Sequence, residues 1–441
     1  MDEQTLRRAI DADGDRIRRE LERLVALPSI AFDGFPAAPL AAAADLVEQL
    51  ARDAGAPSVR RVEVPDEAPA ILAEWPGEPT VLLYAHYDVQ PAPAAGWTAD
   101  PFAPALRDGR LFGRGAADDK SGIVAHLAAL RAWGGAPPVG VKLLVEGAEE
   151  NGRQKLLAVL DADPELMRAD TIVVCDVGNP TVGEPALCES LRGHGKLTVE
   201  LRTLPGALHS GQFGGAAPDA LLALIAVLGT LHDERGAVAV AGLQDAAWPG
   251  SQVAEPEFRA QAAVPDGVEL IGAGTIADRL WARHAISVLG IDAPAVDGAA
   301  NVVIPAARAK IAVRVPPGAD GVRSLAAVRR HLEARVPWGA RLAIEVEPAS
   351  RPIELPAPAG GPAERALARA FGQPVRRLGS GGSVPLVAAL RDAYPDAAIV
   401  LWGAQDSARA QIHAADESVD LGEIGRIALA EALLLAEVAE R

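Results

Sequence analysis

Several histidines and carboxylates of this chain stand just after apolar runs, which is where an α/β sheet gathers its ligands. Tyr84-Ala85-His86-Tyr87-Asp88-Val89 closes one such run. Residues i and i+2 of a strand share a face, so Asp88 is placed to accept the second ring N–H of His86, as in a carboxylate–histidine–metal arrangement. Gly113-Arg114-Gly115-Ala116-Ala117-Asp118-Asp119-Lys120-Ser121-Gly122 is a glycine-rich loop that opens a helix. Its carboxylates suit either a helix N-terminus or a cation. Glu146-Gly147-Ala148-Glu149-Glu150 follows another run, and carboxylates packed there repel one another unless a cation or a proton lies between them. Adjacent residues point opposite ways, so Glu149 and Glu150 can play different parts. Asp176 ends a fourth run, and His413 lies in Gln411-Ile412-His413-Ala414-Ala415-Asp416-Glu417. Each is a weak signal alone. Taken at one sheet edge, His86, Asp118, Glu150, Asp176 and His413 suit two divalent ions with one carboxylate bridging.

The elements that must position these residues are legible as periodicity. Apolar residues at helical spacing predict helices over 5–27, 38–54, 122–133, 218–232, 322–335, 361–371 and 420–440. The runs 80–85, 139–145 and 171–175 are unbroken, as in strands covered on both faces, and 71–75 and 397–402 also read as strands. The texture changes near residue 190. Lys196-Leu197-Thr198-Val199-Glu200-Leu201-Arg202 alternates like a half-exposed antiparallel strand, 309–315 and 341–347 are strands, and 236–300 is loop-rich. The expected fold is α/β, a mixed-sheet catalytic domain with helices on both faces, interrupted by an inserted α+β domain. The expected boundaries are 1–189 and 351–441 for the catalytic domain and 190–350 for the insertion.

The chain has 441 residues, 49% hydrophobic and 23% charged, with 43 Gly and 35 Pro, an ordinary globular composition that excludes disordered and fibrous classes. Its net charge of −17 repels phosphate backbones, so no nucleic-acid partner is expected. No apolar run is long enough to span a bilayer, so no membrane is expected either. The opening residues form no signal-peptide core, and two cysteines, Cys175 and Cys188, make no disulfide framework. The cytoplasm is therefore the expected compartment. Cys175 reads as an inert core thiol. His126, His232, His284 and His331 read as packing or surface residues.

His86-Tyr87-Asp88, Gly113-Arg114-Gly115 with Asp118-Asp119-Lys120, Glu146-Gly147 with Glu149-Glu150, and His209-Ser210-Gly211 with Gly214-Gly215 occur in one order along nearly the whole chain. In this the sequence resembles the dinuclear-metal peptidase family of carnosinase-like dipeptidases, aminoacylases and glutamate carboxypeptidases, most of all its dipeptidase branch. The resemblance implies His86 and Asp176 on one metal ion, Glu150 and His413 on the other, and Asp118 bridging. It implies a cis peptide between Asp118 and Asp119. It implies hydrolysis of the amide bond of dipeptides by a metal-bridging hydroxide, with Glu149 as general base. His209 would stabilise the oxyanion from the other subunit of a homodimer, so the insertion would be both lid and dimerisation domain. Arg314, Gly382 and Ser383 would hold the substrate's terminal carboxylate, with Asn301 near the dimer seam. The resemblance implies zinc first, with Mn²⁺ and Co²⁺ also suited to nitrogen and oxygen donors. An N-acyl-amino-acid amidohydrolase using the same site is the alternative. Relatives with Asp at the position of Asp176 tend to be dipeptidases, which favours the first reading. The chain departs from the family's common pattern at Leu204 to Leu208, where an acidic residue is frequent, and at Ala414 and Ala415.

Overall fold

A computed structural model describes residues 1–93, 95–382 and 384–440. Its main sheet has six strands in the order Ser58–Val62, Ala70–Trp75, Gly140–Glu146, Thr80–His86, Thr171–Val174 and Ala398–Leu401. The last four are mutually parallel, and Ala70–Trp75 runs antiparallel to both of its neighbours, so the sheet is mixed. Period-2 alternation divides the central strands between two cores. Val81, Leu83 and Ala85 pack under the helices Glu3–Val25, Ala37–Asp53, Lys120–Ala132, Pro362–Phe371 and Leu421–Ala439. Leu82, Tyr84, Ile172 and Val174 face the helices Leu156–Ala162 and Pro385–Ala393 on the other side. Burial on both faces is why these strands read as unbroken apolar runs. The α/β class with helices on both faces is thus observed.

A second, four-stranded antiparallel sheet is built from residues between 193 and 346, in the order Ala285–Asp292, Ala306–Val315, Gly193–Arg202 and Arg341–Val346. The helices Ala220–Gly229 and Gly321–Glu333 cover one face of it. The loop-rich stretch expected over 236–300 holds three elements that were not expected. It contains the helix Glu255–Gln261, a π turn at Asp278–Ala282 and the strand Ala285–Asp292. That strand lies at the sheet edge, with six consecutive exposed residues and a register shift between Val288 and Gly290. Its weak apolar pattern is completed by pairing with Ala306–Val315, a contact that no local periodicity records.

The chain leaves the main sheet and returns to it side by side. Ala186–Leu191 pairs antiparallel with Ile353–Glu354 and parallel with Arg376–Ser380. Lys120 ties the site's loop to the first helix: its buried Nζ donates to the Leu24 and Leu27 carbonyls, each at 2.9 Å. Burial pulls this ammonium down to about 7. Among the described residues, no helix is long and apolar enough to cross a membrane.

Candidate active site

The parallel strands deliver the site at their carboxyl ends. His86 is the last residue of Thr80–His86 and is fully buried. Its Nδ1 lies 3.1 Å from the Asp88 main-chain carbonyl and 3.4 Å from the Asp88 carboxylate. That carboxylate has a second task that the sequence did not disclose. It accepts the main-chain N–H of Glu149 at 3.1 Å and of Glu150 at 3.0 Å, so Asp88 fixes the turn that carries both glutamates.

Asp118 is the hub. Its Oδ1 lies 3.1 Å from His86 Nε2, and its Oδ2 lies 3.1 Å from His413 Nε2. Asp176 Oδ1 is 3.9 Å from His86 Nε2, and Glu150 Oε2 is 3.2 Å from His413 Nε2. Two donor sets result, His86 with Asp118 and Asp176, and Asp118 with Glu150 and His413. Within each set the candidate ligand atoms lie within 4.8 Å of one another. The five residues expected to ligate therefore come together in the expected grouping, with Asp118 common to both. The peptide between Asp118 and Asp119 is cis, as expected. Imidazole and carboxylate donors in these numbers fit divalent zinc, manganese or cobalt.

Burial alone would lower the pKa of His86, but the Asp118 and Asp88 carboxylates outweigh it and hold the imidazolium well above its usual range. The Asp118 and Glu150 carboxylates push His413 up to about 10. Burial, reinforced by Asp118, pushes Asp176 well above the carboxylate range. Burial pushes Glu149 up to about 7, with the charges of Asp88, Glu150 and Asp118 adding to the shift and His86 opposing it. Carboxylates crowded in this way favour bound protons on their neighbours, and divalent cations would take the place of those protons.

Glu417 organises the hub from the His413 side. Fully buried, it accepts main-chain N–H groups from Gly115, Ala117 and Asp118 at 3.1, 2.9 and 3.1 Å, and Arg114 Nη1 at 2.6 Å. Gln90 Nε2 donates to Glu150 Oε2 at 2.8 Å. Glu417 was visible in the motif around His413, but nothing in its spacing assigned it this part.

A cavity of about 510 Å³ opens onto Asp118, Glu149, Glu150, Asp176 and His413. Phe258, Leu280, Trp281 and Val253 make one wall apolar, and Gly379 to Gly382 form part of another. Gly382 therefore stands where a substrate would be met, and Ser383 lies outside the described residues. His209, Asn301 and Arg314 are not among the residues lining this cavity. His209 is exposed in the short pairing of Leu208–His209 with Val302–Val303, and the Asn301 carbonyl beside it accepts the Ser210 N–H at 2.9 Å. The Gly211 N–H donates to His209 Nδ1 at 3.1 Å, which leaves the ring proton of the neutral imidazole on Nε2. Arg314 is half-buried in the second sheet, paired across it with His194. Cys175 is buried and its thiol pushed well up by burial, in keeping with an inert core residue. His126 is buried against Glu431, with Nδ1 to Oε2 at 2.9 Å.

Candidate ligands around a shared aspartate, with a glutamate beside them, are what a metal-dependent hydrolase would need. The model of "Peptidase family M20/M25/M40" matches residues 82–437, and the chain belongs to that family. The cysteinylglycine-S-conjugate dipeptidase of Corynebacterium striatum is 42% identical over 369 residues, which cover 81% of this chain and 80% of that protein. The human Beta-Ala-His dipeptidase is 28% identical over 363 residues, covering 75% of this chain and 68% of that one. The crystal structure of human carnosine dipeptidase 1 shares the fold, with a TM-score of 0.83 at 24% identity over 100% of this chain and 99% of that one. The protein is thus a peptidase of the dipeptidase branch.

Proposed function

We propose that this enzyme hydrolyses dipeptides with a free carboxyl terminus and an apolar side chain, using two divalent ions and Glu149 as general base. The observation that carries the reading is the pair of donor sets sharing Asp118, with Glu149 beside them at the cavity floor. In this reading His86 and Asp176 hold one ion, Glu150 and His413 the other, and Asp118 both. Bound there, the two cations supply Lewis acidity that polarises the scissile carbonyl and acidifies a water. Glu149 takes the proton of the attacking water and returns it to the leaving amine. A carboxyl poised near neutrality is suited to both transfers.

The remaining contacts come from the insertion. His209 donates its Nε2–H to the carbonyl oxygen as negative charge develops there. Because His209 and Asn301 are exposed and away from their own chain's cavity, they are read as completing the site of a second copy in a homodimer. Arg314, with Gly382 and Ser383, takes the substrate carboxylate. The apolar wall of Val253, Phe258, Leu280 and Trp281 suits a bulky side chain such as an S-substituted cysteine, the class named for the C. striatum relative.

A substrate panel tests this. The protein is reconstituted in turn with Zn²⁺, Mn²⁺ and Co²⁺ and given X-Gly dipeptides, their N-acetyl analogues and their C-terminal amides. Turnover is expected for the free dipeptides, rising with the size of an apolar X, and nearly lost on amidation. Preference for the N-acetyl compounds would instead make the chain a deacylase. Equal cleavage of amides would remove carboxylate recognition.

A further inference from the structure

The junction between the two sheets holds a positive charge that the proposed roles do not use. Arg192 is buried, 9% exposed, between Ala186–Leu191 and Gly193–Arg202. Among the described residues, neither its Nε nor its Nη1 has a hydrogen-bond partner. The charge that acts on it is that of another arginine, Arg314. His194, two residues on, is paired across the sheet with Arg314, so the two guanidiniums stand at one junction. Burial together with Arg314 lowers Arg192 to about 10, and burial lowers Arg314 as well, with no carboxylate among the described residues offsetting either group. A buried guanidinium beside a half-buried one, with no counter-ion among the described residues, is costly to keep.

The glycine loop lies against that charge. The Arg192 N–H donates to the Ser380 carbonyl at 3.2 Å, which ties Arg192 to the loop on the cavity wall. A Cβ on Gly381 would come 3.0 Å from Arg192 Nη2, so the guanidinium lies directly against the back of that glycine. At Gly379 a Cβ would come 2.6 Å from the Trp281 ring and 2.9 Å from Ser190 Oγ, another buried atom with no partner among the described residues. The glycines thus bring the cavity wall within reach of a charge that sits behind it. We propose that Arg192 is a specificity-determining residue: from beneath the Gly379–Gly382 loop it supplies a second positive charge to the site that receives the substrate's terminal carboxylate, alongside Arg314. This rests on the carboxylate reading above. It adds that the discrimination between an anionic and a neutral terminus is shared by two guanidiniums, one of which lies behind the wall.

The test uses the metal-loaded enzyme and compares Arg192→Met, Arg192→Gln and Arg192→Lys with wild type and Arg314→Ala. kcat and KM are measured on an X-Gly dipeptide and on its amide, with metal content and melting temperature followed in parallel. Loss of one of the two charges is expected to raise KM for the acid about 10- to 100-fold, with KM for the amide moving little. The acid-over-amide preference then falls in both neutral variants and is largely regained in Arg192→Lys. Thermal shifts by glycine against glycinamide should follow the same order. Neutral variants that keep the wild-type preference would overturn the assignment of Arg192 while leaving the carboxylate reading intact. So would a parallel loss on acid and amide, which marks a structural role. A wild type that does not prefer the acid would overturn the carboxylate reading itself.

Discussion

Glu149 and Glu150 are neighbours in sequence with different surroundings. Glu150 Oε2 faces His413 and Gln90, whereas Glu149 is poised near neutrality by burial and by the carboxylates around it. They should fail differently. Glu149→Gln is expected to keep two ions per chain while kcat falls at least about 100-fold, the scale of lost general-base catalysis. Glu150→Gln is expected to lose metal, and elemental analysis with a hydrolysis assay separates the two. His413 gives a prediction in pH. Its pKa without metal is about 10, so a cation must displace that proton, and metal affinity should rise with pH up to that value. Calorimetric titration of the metal-free protein at neutral pH, in buffers of different ionisation enthalpy, should therefore show proton release on binding. The same shift has a stability consequence. His413 holds its proton more tightly folded than unfolded, so in the metal-free protein its stabilisation is complete below about pH 6.5 and fades as the pH rises towards 10. The metal-loaded protein should not show this loss.

At the scale of elements, the site is a set of strand ends held in register by buried carboxylates. Glu417 gathers three main-chain N–H groups and a guanidinium, and thereby fixes the loop that presents Asp118. Asp88 does the same for the turn carrying Glu149 and Glu150. Neither belongs to the five residues proposed to ligate the ions. Glu417→Ala would leave the buried Arg114 without its partner, at a cost of about 3–5 kcal/mol. The expected outcome is a lowered melting temperature, with faster loss of metal to a chelator than in wild type. A variant that melts lower yet retains metal normally would show that Asp118 is held in place without Glu417.

At the scale of the whole molecule, the second sheet has an unfinished edge. Ala285–Asp292 pairs on one side only and exposes Val288, Leu289 and Ile291, and the helix Ala220–Gly229 exposes Leu222 and Ile225. In the homodimer proposed above, a second copy would cover such a region and receive His209 and Asn301 at its cavity. The proposal predicts complementation. His209→Ala and Glu149→Gln chains, each inactive alone, should regain partial activity when mixed, because one hybrid site carries both intact residues. No recovery after verified subunit exchange would place His209 outside the partner's site.

The sequence by itself determined what depends on local pattern. Unbroken apolar runs announced strands buried on both faces, and their carboxyl ends located His86, Glu150 and Asp176, because a parallel sheet presents its ligands there. The order of His86, Asp118, Glu149 and His209 along the chain carried the family, which the comparisons bear out. What local pattern could not carry was decided by tertiary contact. The strand Ala285–Asp292 exists through its pairing with Ala306–Val315, since its own alternation is broken at Gly290. Glu417 reaches back some three hundred positions to the Asp118 loop, and no periodicity encodes a hydrogen bond across that separation. Arg192 reads in sequence as any arginine before a glycine. Only the packing of Gly381 against it and the effect of Arg314, with no carboxylate among the described residues to offset either, set it apart and carry the proposal made for it.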